Sequence, residues 1–258
     1  MNDFESFFDE HGRMIPLNHK YPVHKKTRRY FNIQPVEINY EKIYNKIKSF
    51  LDPSTSLSLN DFKTKAENIL NKLSEDNKLA NITKGVGVPF FMPKRKHKDV
   101  GEELSKNYLT ALNNSFKDEN PNFDFINHCS DNLTESINVN NKSRHDKFIE
   151  KLENELVVGY YFPAMLEYSF EAAIDNLNSL PDNFYLAGGF DTCAAFIGTP
   201  NLLLNKNSYP PLLWMTSLKT DKENIGYHIE SYGYNLTFNK RPHLGNVAEY
   251  WAHSLIVL

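Results

Sequence analysis

Apolar residues recur at helical spacing through the first part of the chain, and the character changes near residue 155. Tyr40, Ile43, Tyr44, Ile47, Phe50 and Leu51 share one face and predict a helix over 40–51, which Pro53 stops. Phe62, Ala66, Ile69, Leu70 and Leu73 predict a second helix over about 59–73. Asp99, with Glu102 three residues on, has the form of a capping box and opens a helix built on Leu104, Tyr108, Ala111, Leu112 and Phe116. Ser143 and Asp146 open another, with Phe148, Ile149, Leu152 and Leu156 as its apolar stripe. Residues 85–93 are apolar but broken by glycine and proline, which fits an edge strand or a buried loop. The Asn-, Asp- and Ser-rich stretch 117–142 reads as a long surface loop.

Beyond residue 155 the apolar runs are shorter and denser. A strand is predicted at 156–162, ending at Pro163, then a helix at about 169–180 from Ser169, with Phe170, Ile174 and Leu177 inward. A strand at 183–188 follows, then a short helix from Asp191 to about Gly198, closed by Pro200, and a strand at 211–217. Strand, helix, strand, helix, strand predicts parallel pairing with right-handed crossovers. Ile225, Tyr227 and Ile229 alternate on odd numbers, whereas Tyr232, Tyr234, Leu236 and Phe238 alternate on even ones. A hairpin turned near Ser231–Gly233, or a bent strand, reconciles the two phases. The last segment fits a helix through Val247, Tyr250, Trp251 and Leu255, or a buried strand over 254–258.

The expected fold is therefore α/β, with mixed α+β as its near relative. An extended basic arm (1–38) precedes a helical region (39–155), packed on a C-terminal mixed sheet (156–258) with strand-helix-strand units and a terminal hairpin. Residues 38–258 are expected to share one core. Composition narrows the functional classes. A hydrophobic fraction of 40% supports a real core, and a net charge of −3 gives no global pull toward nucleic acid or acidic lipid. The N-terminus lacks a signal-peptide layout, and no apolar run is long enough to span a bilayer. Two cysteines in separate segments give no disulfide framework, and no Cys/His spacing indicates a metal site, so a cytoplasmic setting is expected. Nothing in the sequence identifies a cofactor.

The corner Gly188-Gly189-Phe190-Asp191-Thr192-Cys193 is the first candidate for chemistry. Paired glycines let a ligand approach Gly188, Gly189 and Thr192, and a helix N-terminus offers free N–H groups to an anion. Cys193 in that first turn would have a lowered thiol pKa and, beside a histidine, would be a nucleophile. Against this, Cys193 stands among alanines, as a small core residue does, and Asp191 has the place of an N-cap. His228 and Glu230 come second. They share one strand face and, with His243 or His253, would form an acid–base or metal site, although polar residues on an outer strand face are ordinarily just solvated.

Two basic patches are the third candidate: Lys25, Lys26, Arg28 and Arg29 in the arm, beside Tyr21, Tyr30 and Phe31, and Lys94, Arg95 and Lys96 further on. Their use on nucleic acid requires the two patches to converge, and the overall negative charge disfavours it. Tyr160-Tyr161-Phe162 and Tyr232-Gly-Tyr234 are either core or partner surface.

The leading expectation is a cytosolic hydrolase or group transferase acting on a small polar or phosphorylated molecule at the Gly188–Cys193 corner, with His228 and Glu230 as acid–base partners. The rival is a non-enzymatic protein-interaction module of the bacterial effector, immunity or adaptor type. No membrane partner is expected.

Overall fold

Side-chain caps set most of the helix starts in the computed structural model, which describes residues 6–17, 19–24, 30–129, 133–139, 143–205 and 207–258. Asn39 and Ser58 accept the N–H groups of Lys42 and Asp61, opening α1 (Tyr40–Phe50) and α2 (Leu59–Glu75). A 3-10 turn, Ala80–Lys84, leads into β1 (Val88–Met92). Asp99 accepts from the Glu102 N–H at 2.6 Å and starts α3 (Val100–Glu103). A π-helical stretch, Leu104–Leu109, carries the chain into α4 (Thr110–Glu119). The stretch read as one long loop holds two short strands, β2 (Phe125–Asn127) and β3 (Ile137–Val139). Ser143 caps α5 (Arg144–Asn154), and β4 (Val157–Leu166) follows. Ser169 caps α6 (Phe170–Leu177), then come β5 (Phe184–Leu186) and α7 (Gly189–Gly198). Five strands complete the chain: β6 (Leu212–Trp214), β7 (Leu218–Thr220), β8 (Ile225–Tyr232), β9 (Asn235–Pro242) and β10 (Trp251–Val257).

The fold is mixed α/β, an eight-stranded mixed sheet in the order β1-β4-β10-β6-β8-β9-β2, with β5 also joined to β10 and with helices packed against it. β10 is the axis. On one side it pairs antiparallel with β4; on the other it pairs parallel with β6 and then antiparallel with β5. The mixed sheet is as expected, but the parallel pairing of successive strands in the strand-helix-strand run is not formed. The C-terminal segment enters as a strand beside β4, so β4 and β5 take a neighbour from far along the chain instead of each other. Nor does Pro163 end β4. The β4–β10 register slips between His253 and Leu255, and this irregularity, opposite Pro163 and Ala164, accommodates a residue that has no N–H for the ladder.

The terminal hairpin forms as β8–β9. Gly233 and Tyr234 both have positive φ, 58° and 68°, which suits the tight two-residue turn. That turn switches the phase, so Tyr227 and Ile229 on β8 and Leu236 and Phe238 on β9 all face the core.

The two faces of this sheet differ. Leu213, Ile229 and Ala252 join a core that runs from Phe8 to Val257, in which α7 contacts β1 and β4 on one side and α1 and α4 on the other. Leu212, Trp214 and Trp251 turn the other way and pack with Phe170 in a separate small cluster. Ile174, expected inward on α6, is 45% exposed. The cluster takes only the first turn of that helix. Among the described residues no helix is long and apolar enough to cross a membrane.

Candidate functional site

The diglycine corner forms where expected: β5 stops at Leu186 and α7 begins at Gly189. Protein fills the space a ligand would need. A Cβ at Gly188 would lie 2.4 Å from Nε2 of His145, and one at Gly189 would lie 2.9 Å from Cδ2 of Leu104. Phe190 stacks on Tyr108 at 4.6 Å between ring centroids, with His97 at its edge. Every residue of α7 is buried, and Asp191, Thr192 and Cys193 have no exposed surface. The glycines are there so that His145 and Leu104 can approach the backbone.

The chemistry of the corner changes with its burial. Both carboxylate oxygens of Asp191 accept from the Gly188 N–H, at 2.9 and 3.0 Å, and burial pushes this carboxyl up to about 7. The Cys193 thiol is pushed well above its usual range by burial and then by the Asp191 charge, the reverse of the activation expected from the helix dipole. Among the described residues Cys193 has no hydrogen bond to an imidazole. His145 sits over the corner with Nδ1 3.1 Å from the Leu186 carbonyl, which makes Nδ1 the donor, and burial lowers its pKa to about 4.

The sequence does not single out His145; the histidines it does, His228, His243 and His253, meet on the opposite face of the sheet. His253, Trp214 and His228 occupy directly paired positions on β10, β6 and β8, so their side chains stand in one row. Phe170 and His243 lie over that row. The His243 ring is stacked on Phe170 at 4.0 Å and 14°, Trp214 meets His228 edge-on at 5.1 Å, and Trp251 meets Trp214 edge-on at 5.2 Å. His253 is tied at both nitrogens: Nδ1 to the Thr216 hydroxyl at 2.7 Å and Nε2 to the Tyr168 carbonyl at 2.9 Å. A carbonyl only accepts, so Nε2 carries the proton and Nδ1 accepts from Thr216. Burial lowers the pKa of His253 to about 4, and it lowers those of His228 and His243 as well.

His228 and Glu230 share a strand face as predicted, with Nε2 3.3 Å from Oε1. Arg241 reaches the same carboxylate at 3.1 Å. Burial alone would raise the Glu230 pKa, but His228 and Arg241 bring it below the usual range. Five buried polar atoms here have no hydrogen-bond partner among the described residues: Trp214 Nε1, Trp251 Nε1, His228 Nδ1, His243 Nδ1 and Glu171 Oε2. Such a concentration is unusual in a native interior. Among the described residues no group of three or more His, Cys, Asp or Glu side chains is arranged to hold a metal ion.

Of the basic patches, Lys25, Lys26, Arg28 and Arg29 lie outside the described residues. Lys94 and Lys96 are exposed, while Arg95 binds Glu103 at 2.8 Å. Residues 94–98 follow β1, whose Met92 pairs with Val157 at the start of β4, whereas Val23 bridges Tyr168 just past its end. The flank of the arm patch and the second patch are thus separated by the length of β4, about 30 Å at the usual rise.

The surface feature that stands out is aromatic. Tyr30 and Tyr209, 59% and 64% exposed, lie nearly parallel (16°) with centroids 5.5 Å apart. Phe31 touches both Tyr30 and Tyr250, and Arg241 lies over the Tyr250 ring. Tyr209 and Tyr234 line one recess of about 350 Å³ with Asn205, Asn207, Ser208 and Ser231. Tyr234 in turn stacks on Phe123, and Tyr232 at the hairpin tip is 80% exposed. Tyr160, Tyr161 and Phe162, by contrast, are core. The sequence pattern does not single out Tyr209, and it places Tyr250 on the apolar face of a terminal helix, not on a partner surface. The one available signal was Tyr209 standing before Pro210-Pro211, where the chain is held in a loop.

Comparison with known proteins adds no relative: no family model, no curated protein and no solved structure matches this chain.

Proposed function

We propose that the chain is a non-enzymatic protein-interaction module, of the effector, immunity or adaptor type, and that it works through the aromatic band from Tyr30 to Tyr234. The observation that carries this reading is the Tyr30–Tyr209 pair, two rings held in a fixed stack while most of their surface faces solvent. Tyrosine rings contribute large contact area at little entropic cost, and rings already braced by a neighbour lose still less on binding. Tyrosine and arginine are also the side chains that dominate binding energy at protein interfaces, and the band has Arg241 beside Tyr250. The rival enzyme at Cys193 requires an open thiol next to an imidazole, and the thiol is sealed.

A photoreactive amino acid placed at Tyr232 in the protein expressed in its native cells tests the reading, with the same group at exposed Lys63 as control. The expected result is a discrete, saturable adduct from position 232 alone, abolished when Tyr30 and Tyr209 are both changed to Ala. Equal labelling from both positions, or an adduct indifferent to the double substitution, refutes it.

A further inference from the structure

The segment from Pro242 to Tyr250 joins β9 to β10 and carries Tyr250 into the aromatic band. Within it His243 is the one buried residue; Pro242, Leu244, Asn246 and Tyr250 are exposed and the others are half-buried. Leu244 and Gly245 turn the backbone through positive φ, 52° and 65°. Two hydrogen bonds steady the turn, from the His243 N–H to the Asn224 carbonyl and from the Asn246 N–H to the His243 carbonyl. The Tyr250 carbonyl accepts from the Leu212 N–H at 2.8 Å, which anchors the far end of the loop to β6. Between that anchor and β9 the loop has little buried surface, so its docking depends on the few side chains it does bury.

We propose that His243 is an acid-sensitive latch: the neutral imidazole, stacked on Phe170, holds the 242–250 loop and Tyr250 in place, and the protonated ring lets the loop go. This rests on the aromatic band being the working surface, since the release of Tyr250 would remove one end of it.

The geometry supplies the reason. His243 lies flat on an apolar ring with its Nδ1 buried and unpartnered, so a proton added there gains no hydrogen bond. The groups facing it have mixed signs. Glu171, in the first turn of α6, attracts the cation; its Oε1 lies beside Gly245, at the edge of the loop. His253 from β10 and His228 from β8 flank the same Phe170–Trp214 pair, and each proton they acquire opposes another. Arg241, two residues before His243, is held by Glu230 and Tyr250 and brings further positive charge. Burial outweighs Glu171 and lowers the His243 pKa. The sign follows. Docking is at full strength near neutral pH and weakens as the pH falls through the ordinary histidine range toward the lowered value of the docked state.

The two tryptophans of the chain, Trp214 and Trp251, both sit in this cluster, so tryptophan emission, excited at a wavelength where tyrosine does not absorb, reports on it alone. The experiment is a titration of the intact protein from pH 7.5 to 4.5. It follows tryptophan emission, quenching by acrylamide and far-ultraviolet circular dichroism. The expected result is a step in emission and a rise in acrylamide access while the dichroism stays constant. That step should be lost in His243→Phe, which keeps the stack but cannot take a proton. If His243→Phe lacks the native dichroism at pH 7.5, Phe170→Leu replaces it; this variant weakens the stack and should move the step to higher pH. Emission that stays flat until the dichroism falls, a step unchanged in His243→Phe, or one unmoved in Phe170→Leu overturns the latch. No partner is needed in this assay, so a failed latch leaves the cross-linking result at Tyr232 standing, and the converse also holds.

Discussion

Replacing His253 by glutamine removes a buried imidazole that the native fold keeps neutral, and its effect on stability must therefore depend on pH. The ring has no exposed surface, both nitrogens are engaged, and its pKa falls from 6.5 to about 4. Above pH 6.5 neither the native nor the unfolded chain protonates this residue, so it contributes no pH dependence. Below 6.5 the unfolded chain takes the proton and the native one refuses it, and stability is lost progressively until the pH reaches about 4. The loss from this residue is about 2 kcal/mol at pH 5 and about 3 kcal/mol at pH 4 and below. Wild type alone would not isolate the effect. Asp191, with its carboxyl raised to about 7, works in the opposite sense, because the native state gains its proton before the unfolded state does. The difference between wild type and His253→Gln cancels that contribution. Glutamine should be the less stable protein at pH 7.5, having lost part of the Thr216 and Tyr168 pairing. The gap measured by urea unfolding should then close by about 2 kcal/mol at pH 5. A gap that stays constant between these two pH values refutes the claim that His253 is held neutral by burial.

Two further outcomes follow from the sealed corner. Gly188→Ala drives a methyl against the His145 ring and should destabilise the fold by about 1–3 kcal/mol in the same urea assay. In a Cys129→Ser background, Cys193 should resist an aromatic disulfide reagent in native buffer and react fully once urea unfolds the chain; labelling within minutes under native conditions would show the corner to be open.

Local chemistry was readable in the sequence, and long-range placement was not. Asp99, Ser143 and Ser169 mark helix starts because a cap needs only its own next three residues. The phase change between Ile229 and Leu236 marks the β8–β9 turn for the same reason, since alternation is a property of neighbours. The corner was readable as a path of the chain: β5, two glycines, α7. Its burial was less so. Phe190-Asp-Thr-Cys-Ala-Ala-Phe-Ile is apolar on nearly every side, the pattern of a helix covered all round, and that signal competed with the dipole argument for Cys193. The row of His253, Trp214 and His228 depends on β10 lying beside β6 and β6 beside β8. No spacing along the chain encodes that order. The same holds for Tyr30 and Tyr209, which the Phe31–Tyr209 bridge brings together.

The position of β10 has a consequence for how the molecule is made. The strand that joins β4, β5 and β6 comes after all of them along the chain, so during synthesis its three partners wait with the ladder groups of the edge that faces β10 unpaired. Such pairings close long loops, which slows folding and lengthens the time during which strand edges lie open to other chains. Assembly of the sheet from the ribosome is thus expected to be a late event, and a nascent chain halted before Trp251 should need a chaperone's shelter more than the finished one does.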